Sequence, residues 1–287
     1  MRNKFVGILA VLLLAIGFLI LNYPTLSTLY NQLHQGTVLT TYDDTVQKMN
    51  EEKKKKYWQE AKAYNERLAG TTPQLTDAFS DKGNKEDSDY NQILNLEEDT
   101  GVMGSIEIPK IKVILAIYHG LGADVLEKGV GHVEGTSLPI GGESTHAVLA
   151  GHRGLPSAKI FTDLDQMEKG DIFLLHILGE TLAYKVDQIK TVLPEESGEL
   201  DIVPGEDHVT LVTCTPYGVN THRLLIRGIR TEYVEKEEPT VETPVQAIAK
   251  VDPKKVAAIG LAAFVVLTLI IYLVIRRRNK KNKDEEA

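Results

Sequence analysis

The sequence has a single cysteine, Cys214, in 287 residues. One thiol cannot close a disulfide within the chain, so no such cross-link supports the fold. Basic residues are also in short supply. Lysine and arginine total 32 against 40 aspartates and glutamates, for a formal net charge of −8. That balance argues against a nucleic-acid partner. The histidines, at positions 34, 119, 132, 146, 152, 176, 208 and 222, fall at no ligand-type spacing with acids or thiols. No metal site and no cofactor are therefore expected. No internal repeat is present.

What the sequence does have begins with two long apolar runs. Residues 5–21 and residues 256–275 carry no charge. A helix needs about 20 apolar residues to cross a bilayer, with a lower limit near 17, so both runs read as membrane spans. The first also has the basic start of a secretory signal, Arg2 and Lys4. Its apolar stretch is longer than a usual signal core, however, and no small-x-small cleavage site precedes Asn22. An uncleaved anchor (residues 1–21) is expected over a cleaved signal. Arg276, Arg277, Arg278, Lys280, Lys281 and Lys283 follow the second run. Positive flanks stay on the cytoplasmic side, which puts both termini inside and residues 22–255 on the outer face of the cell membrane. That segment is long enough for one substantial domain with appendages. It is more acidic than the whole chain, because eight of the 32 basic residues lie in the two ends against three of the 40 acidic ones.

Residues 22–100 read as a helical segment followed by a polar loop. From Tyr42 to Leu68, the residues Val46, Met49, Tyr57, Ala61, Tyr64 and Leu68 keep to one face of a single long helix. Asp43 and Asp44 suit its start, and Gly70 and Pro73 stop it. Residues 81–89 are too polar to bury a core, and the island Leu75-Thr-Asp-Ala-Phe79 interrupts the polarity. From Gly101 the texture changes to short runs rich in Val, Ile, Thr and Tyr, punctuated by Gly and Pro. Candidate strands are 103–108, 113–118, 145–152, 172–177, 181–192, 209–214 and 223–233. This number of strands over residues 101–234 suggests a closed or sandwiched antiparallel sheet, a mainly β fold. Short helices are expected in the links at 123–128 and 161–167. Residues 235–255, with Pro239, Pro244 and Pro253, read as a semi-extended stalk leading to the second span and a basic tail, 276–287.

Outside a membrane, a lone cysteine is buried filler, an intermolecular bridge or a reactive thiol. Cys214 sits in Thr210-Leu-Val-Thr-Cys-Thr-Pro-Tyr-Gly218, and Arg223 follows nine residues later. With the strands as read, the thiol ends one strand and the arginine starts the next, so a thiol faces a fixed cation. Arg223 supplies a positive field but cannot act as a base, because it keeps its proton above about pH 12. The acid or base must be a histidine. His152 ends the run Ala147-Val-Leu-Ala-Gly-His152 and is followed by Arg153-Gly-Leu-Pro156, which sets a titratable ring at a rim; the alternative is a surface histidine at a turn. His146 and His222 compete with it. His222 neighbours Arg223, so on a strand the two point to opposite faces and only one of them faces Cys214.

Ala150-Gly-His-Arg-Gly154, the Thr210–Gly218 block and Asn220-Thr-His-Arg-Leu224 together resemble the sortases, the cysteine transpeptidases of Gram-positive bacterial surfaces. The resemblance covers roughly residues 101–230, and its specific part is T-L-x-T-C with an arginine downstream. The C-terminal apolar run and the long segment before the strands resemble the class C, pilin-polymerising branch. The resemblance implies an eight-stranded β-barrel with an N-terminal helical segment and two flanking transmembrane helices. It also implies that His152, Cys214 and Arg223 are the catalytic residues. Class C members close a loop carrying Asp-Pro-aromatic over the cysteine; the matching piece here is Asp77-Ala-Phe79, in which alanine replaces the stiffening proline. The implied partners are a pilin or other surface protein with an LPxTG-like sorting signal, and an amine from a pilin lysine or from peptidoglycan. The residues leave open how far Arg223 lowers the thiol. With reference pKa values of about 6.5 for His and 8.5 for Cys, only a small fraction carries thiolate and imidazolium together.

Rival readings remain at this point. A papain-like or cell-wall cysteine hydrolase usually places Cys before His, often at a helix start, and here the order is reversed. A non-catalytic membrane-tethered assembly protein would use Cys214 as core filler. Within the resemblance, cell-wall anchoring is the alternative to pilin polymerisation, because the acceptor amine lies on the partner.

Overall fold

The computed structural model of the chain describes residues 2–69, 77, 79, 88–96, 100–196 and 198–232. Two helices lead in, α1 (Arg2–Lys48) and α2 (Glu51–Leu68), followed by the short α3 (Ser88–Gln92). The strands are β1 (Val102–Ile108), β2 (Val113–His119), β3 (Val130–His132), β4 (Thr145–Ala150), β5 (Ile172–Ile177), β6 (Glu180–Val192), β7 (Asp207–Thr215) and β8 (His222–Thr231). A one-turn helix, α4 (Ala123–Leu126), links β2 to β3. The strands close into a barrel in the order β1-β2-β3-β4-β7-β8-β6-β5. Mainly β, with an N-terminal helix, is therefore the architecture.

Four points differ from these expectations. The long helix over 42–68 is two helices that break at Met49–Asn50. Asn50 is extended (φ −73°, ψ 157°), and its side-chain oxygen accepts from the Lys53 N–H at 2.8 Å. This N-cap satisfies a donor that a new helix start would otherwise leave unpaired, and Glu51 and Glu52 complement the positive end behind it. The sheet is mixed rather than antiparallel, since β2 pairs with β3 and β4 with β7 in parallel. The strand β3 was not expected at all. Its three residues, Val-Gly-His, are all buried, so they show no alternation to read. In the links, the helix at 161–167 shrinks to a 3-10 turn at Leu164–Gln166.

The main core fills the barrel and includes Ile106, Leu149, Phe173, Tyr184, Leu211 and Ile226. A second cluster lies outside the wall, where Val148 and Ala150 of β4 meet Val212 of β7, Leu225 of β8 and Val192 of β6. β7 is thus buried on both faces, which explains why it reads as a continuous apolar run. α1 packs through Leu39, Tyr42 and Val46 against Val102, Ala116 and Tyr118 of the wall. Polar ties fix its register: Asn31 donates to Ser157 O at 2.6 Å, and Gln35 accepts from the Ala116 N–H at 2.9 Å. Among the described residues, no helix is long and apolar enough to cross a membrane. The run at 256–275, the stalk and the basic tail lie outside the described residues.

The Tyr42 hydroxyl donates to Met103 O and accepts from the Leu178 N–H, each at 3.0 Å and buried. Tyr42→Phe leaves both backbone groups unpaired in an apolar setting. It is expected to destabilise the fold by about 1–3 kcal/mol in chemical denaturation. Acid is a second probe. Burial pushes both His132 and His146 down to about 4. The unfolded chain takes up these protons near pH 6.5, whereas the folded chain takes them up only near 4. The associated stability is therefore complete above pH 6.5 and lost as pH falls toward 4. Denaturation midpoints measured from pH 7 to 4 should fall through that window, and a smaller slope is expected for His146→Gln.

Candidate active site

The parallel pairing of β4 with β7, from Thr145↔Asp207 to Ala150↔Val212, sends both strands out at the same rim of the barrel. Cys214 lies near the end of β7. The antiparallel partner β8 begins at that rim, and its register sets Arg223 directly opposite Cys214. Directly opposed residues keep their Cβ atoms about 5 Å apart, so thiol and guanidinium are neighbours by register.

His152 follows β4 by two residues and is fixed by the continuation of the same ladder. The Gly151 N–H donates to Val212 O at 3.1 Å, and the Thr213 hydroxyl donates to Gly151 O at 2.7 Å. The residue before the cysteine thus holds the residue before the histidine. Gly151 is required by space: a Cβ there would stand 2.8 Å from the Phe161 ring and 2.9 Å from Ile160. The Phe161 N–H then donates to His152 O at 3.1 Å.

Asp77 and Phe79 close over this rim. Arg223 donates from Nε to Asp77 Oδ1 at 2.7 Å and from Nη2 to Asp77 Oδ2 at 2.6 Å. Its remaining nitrogen, Nη1, donates to Asn220 O at 3.1 Å and His222 O at 3.0 Å. The Phe79 ring lies 5.6 Å from the His152 ring and 5.3 Å from the Arg223 guanidinium carbon. It also packs on the outer apolar cluster of Val148, Val212 and Leu225. Cys214 is left 8% exposed. All five expected residues therefore meet at one place; Ala78 lies outside the described residues.

The competing histidines are occupied elsewhere. His146 is buried, with Nδ1 bonded to Asp201 O at 2.9 Å and Nε2 to the Thr210 hydroxyl at 2.7 Å. His222 pairs with Thr215 in the ladder and bonds the Thr221 hydroxyl at 2.9 Å. Among the described residues, no three His, Cys, Asp or Glu side chains gather as a metal site would need.

Residues 106–231 match the family model for the sortase domain. Sortase D of Bacillus subtilis strain 168 is 31% identical over 167 residues, a stretch covering 57% of this chain and 80% of that protein. The chain belongs to the sortase family. The crystal structure of sortase C1 from Streptococcus agalactiae matches with 47% identity and a TM-score of 0.64, over 69% of this chain and all of that one. A Streptococcus pneumoniae sortase C, described in connection with catalysis and pilin substrate specificity, matches with 43% identity and a TM-score of 0.62, over 69% of this chain and 97% of that one. With class C sortases as its structural neighbours, this sortase is a cysteine transpeptidase of that class.

The electrostatics of this sortase describe a resting state. Burial pushes the Cys214 thiol up; Arg223 pulls it down, and the Asp77 carboxylate pushes it up again. The net direction is upward because burial outweighs the pull of Arg223, and Asp77 adds a smaller push the same way. Burial also pushes His152 down, against a smaller opposing pull from Glu127. Thiol and imidazole are both held neutral. Thr213 belongs to the T-L-x-T-C block, but its part in locking the His152 turn through its hydroxyl is not legible in the sequence, because a threonine on a strand reads as an ordinary β-former.

Removing the Asp77 charge takes away both the smaller upward push and the Arg223 pair that holds the cap over Cys214. For Asp77→Asn, the alkylation rate of Cys214 by a small thiol reagent at pH 7 is expected to rise roughly tenfold, with its pH midpoint moving down. An unchanged rate would count against Asp77 as a restraint on the thiol.

Proposed function

We propose that this chain cleaves an LPxTG-like sorting signal and joins the acyl fragment to a lysine amine of a pilin, so polymerising pili, with Cys214 as nucleophile, His152 as acid and base, and Arg223 as the oxyanion partner. The observation that carries the reading is the closed cap: a bidentate Asp77–Arg223 pair and an aromatic ring over the histidine, set across strands from the only thiol.

In this reading, opening of the cap comes first. Once Asp77 leaves, two N–H groups of Arg223 are released to bind the developing oxyanion. With the cap open, the Cys214 thiol gives up its proton to water under the field of Arg223, and His152 takes one up. The thiolate then attacks the threonine carbonyl carbon and the Thr–Gly C–N bond breaks. His152 gives its proton to the departing glycine amine, leaving a thioester on Cys214. The incoming amine attacks that carbonyl and loses a proton to His152, and the thiolate departs. An isopeptide bond is the product. The apolar outer cluster beside the site would keep water from the thioester.

The proposed domain plan is an anchor at 1–21, a helical segment and cap at 22–100, the barrel at 101–234, a stalk at 235–255, a span at 256–275 and a tail at 276–287. The barrel then faces outward with both termini in the cytoplasm. The two charge-free runs and their basic flanks support this plan.

The test is incubation of the full chain, in detergent, with a sorting-signal peptide and either a pilin lysine donor or a peptidoglycan amine. The expected product is the isopeptide-linked pilin, absent with Cys214→Ala. Exclusive use of the peptidoglycan amine would favour cell-wall anchoring, and cleavage without transfer would favour a hydrolase. Undiminished transfer by Cys214→Ala would remove the catalytic reading altogether.

A further inference from the structure

The residue after His152 has no assigned part, yet it is tied more thoroughly than any other side chain of that turn. Arg153 donates from Nε to Thr162 O at 3.2 Å and from Nη1 to the Thr215 hydroxyl at 3.3 Å, and its Nη2 pairs with Asp165. Its guanidinium carbon lies 5.9 Å from the Tyr217 ring. All three nitrogens are engaged, and the side chain is only 8% exposed although its acidic partner is 49% exposed. Arginine serves this arrangement as lysine cannot, because its rigid fork addresses three acceptors in one plane.

The partners have a pattern. Thr162 and Asp165 belong to the loop leaving the histidine, whereas Thr215 and Tyr217 flank the cysteine's end of β7. Gly154 lets the turn approach: it has φ +81°, and a Cβ there would stand 3.0 Å from the Tyr217 ring. A second tie, from the Gly154 N–H to the Thr162 hydroxyl at 3.3 Å, holds the same loop. His152 faces the cap while Arg153 faces the strand end, so one short turn presents the ring and fastens it.

We infer that Arg153 is a positioning residue: its bridge from the His152 turn to Thr215 sets the imidazole relative to Cys214, at the point where the leaving amine must collect its proton. The inference rests on His152 being the general acid. Loss of the bridge leaves the strand pair Cys214–Arg223 intact, because that pair is made by the β7–β8 ladder. The defect should therefore appear in proton delivery and leave the nucleophile as it was.

The experiment compares two substrates in the full chain carrying Asp77→Ala, so that the cap does not limit entry. One is a sorting-signal peptide amide, and the other is the same acyl fragment as a nitrophenyl ester, whose leaving group needs no proton. For Arg153→Ala, the acylation rate on the amide should fall about 10- to 100-fold with KM little changed, as a displacement near 1 Å can cause. The ester burst and Cys214 alkylation should stay within about twofold, and Arg153→Lys should lose a comparable part of amide turnover despite keeping the charge. Thr215→Val, which removes only the cross-strand acceptor, should show a weaker form of the same split and provides the test where Arg153→Ala fails to fold. Equal losses on amide and ester would make the role merely structural and overturn the proposal. Wild-type amide turnover in both Arg153→Ala and Thr215→Val, with His152→Ala inactive, would overturn the positioning alone. Full amide turnover in His152→Ala would overturn the catalytic reading and this inference with it.

Discussion

Parallel pairing of β4 with β7 is the constraint on which the site depends. An antiparallel β4 would deliver His152 to the far rim, about 20 Å from Cys214 at roughly 3.3 Å per residue. Because the strands run the same way, the two turns leave side by side. The ladder is then prolonged by the Gly151 N–H to Val212 O and the Thr213 hydroxyl to Gly151 O. Each of these bonds joins Gly151, adjacent to His152, to a residue one or two before Cys214, so backbone order is converted into side-chain proximity. β8 adds the third group by ordinary hairpin register. Parallel strands need a long crossover, and the path from β4 to β7 includes β5 and β6, which complete the barrel wall.

This explains what was legible in the sequence and what was not. The cysteine–arginine pair is a local feature, two strands joined by a short turn, and alternation plus turn residues sufficed to place it. The strands with clear β-rich runs were legible for the same reason. His152 was the best placed of the candidates by its strand-end context, but its approach to Cys214 depends on pairing between strands more than 50 residues apart. No periodicity records whether such a pair is parallel. β3 escaped because it is short and uniformly buried, and the helix break at Asn50 escaped because the apolar face continues on both sides of a polar cap. Thr213 and Arg153 act by hydrogen bonds across elements, and composition carries no trace of those.

The cap illustrates how a weak element holds when its contacts are well made. Proline at position 78 would have stiffened the loop in advance; alanine does not. Asp77 and Phe79 nonetheless meet their partners. The compensation lies on the barrel side. Nη1 of Arg223 is already bound to two backbone carbonyls, so the guanidinium is oriented before the carboxylate arrives. Little side-chain entropy remains to be lost, and a bidentate charge-assisted pair forms with good geometry. Partly buried pairs of this kind contribute modest net stability, because desolvation offsets much of the attraction. A modest balance suits the opening that the proposed mechanism requires.

The same two N–H groups decide more than closure. In the proposed reaction, Asp77 takes the donors that an oxyanion at Cys214 would need, and it adds a smaller push to the burial that already holds the thiol up against the pull of Arg223. In that reading the closed cap withholds transition-state stabilisation through the carboxylate and nucleophile activation chiefly through burial. On the proposed mechanism, the closed cap and the charged arrangement are mutually exclusive states of one site, not a site with an obstacle in front of it. Any ligand that opens the cap must supply more favourable contacts to the rim than Asp77 and Phe79 do. A substrate able to place a carbonyl on Arg223 and an apolar side chain on the Val148, Val212 and Leu225 surface replaces both contacts in kind. Recognition and activation then depend on the same displacement, and a thiol that stays neutral until the correct acyl group arrives is shielded from reagents that cannot make it.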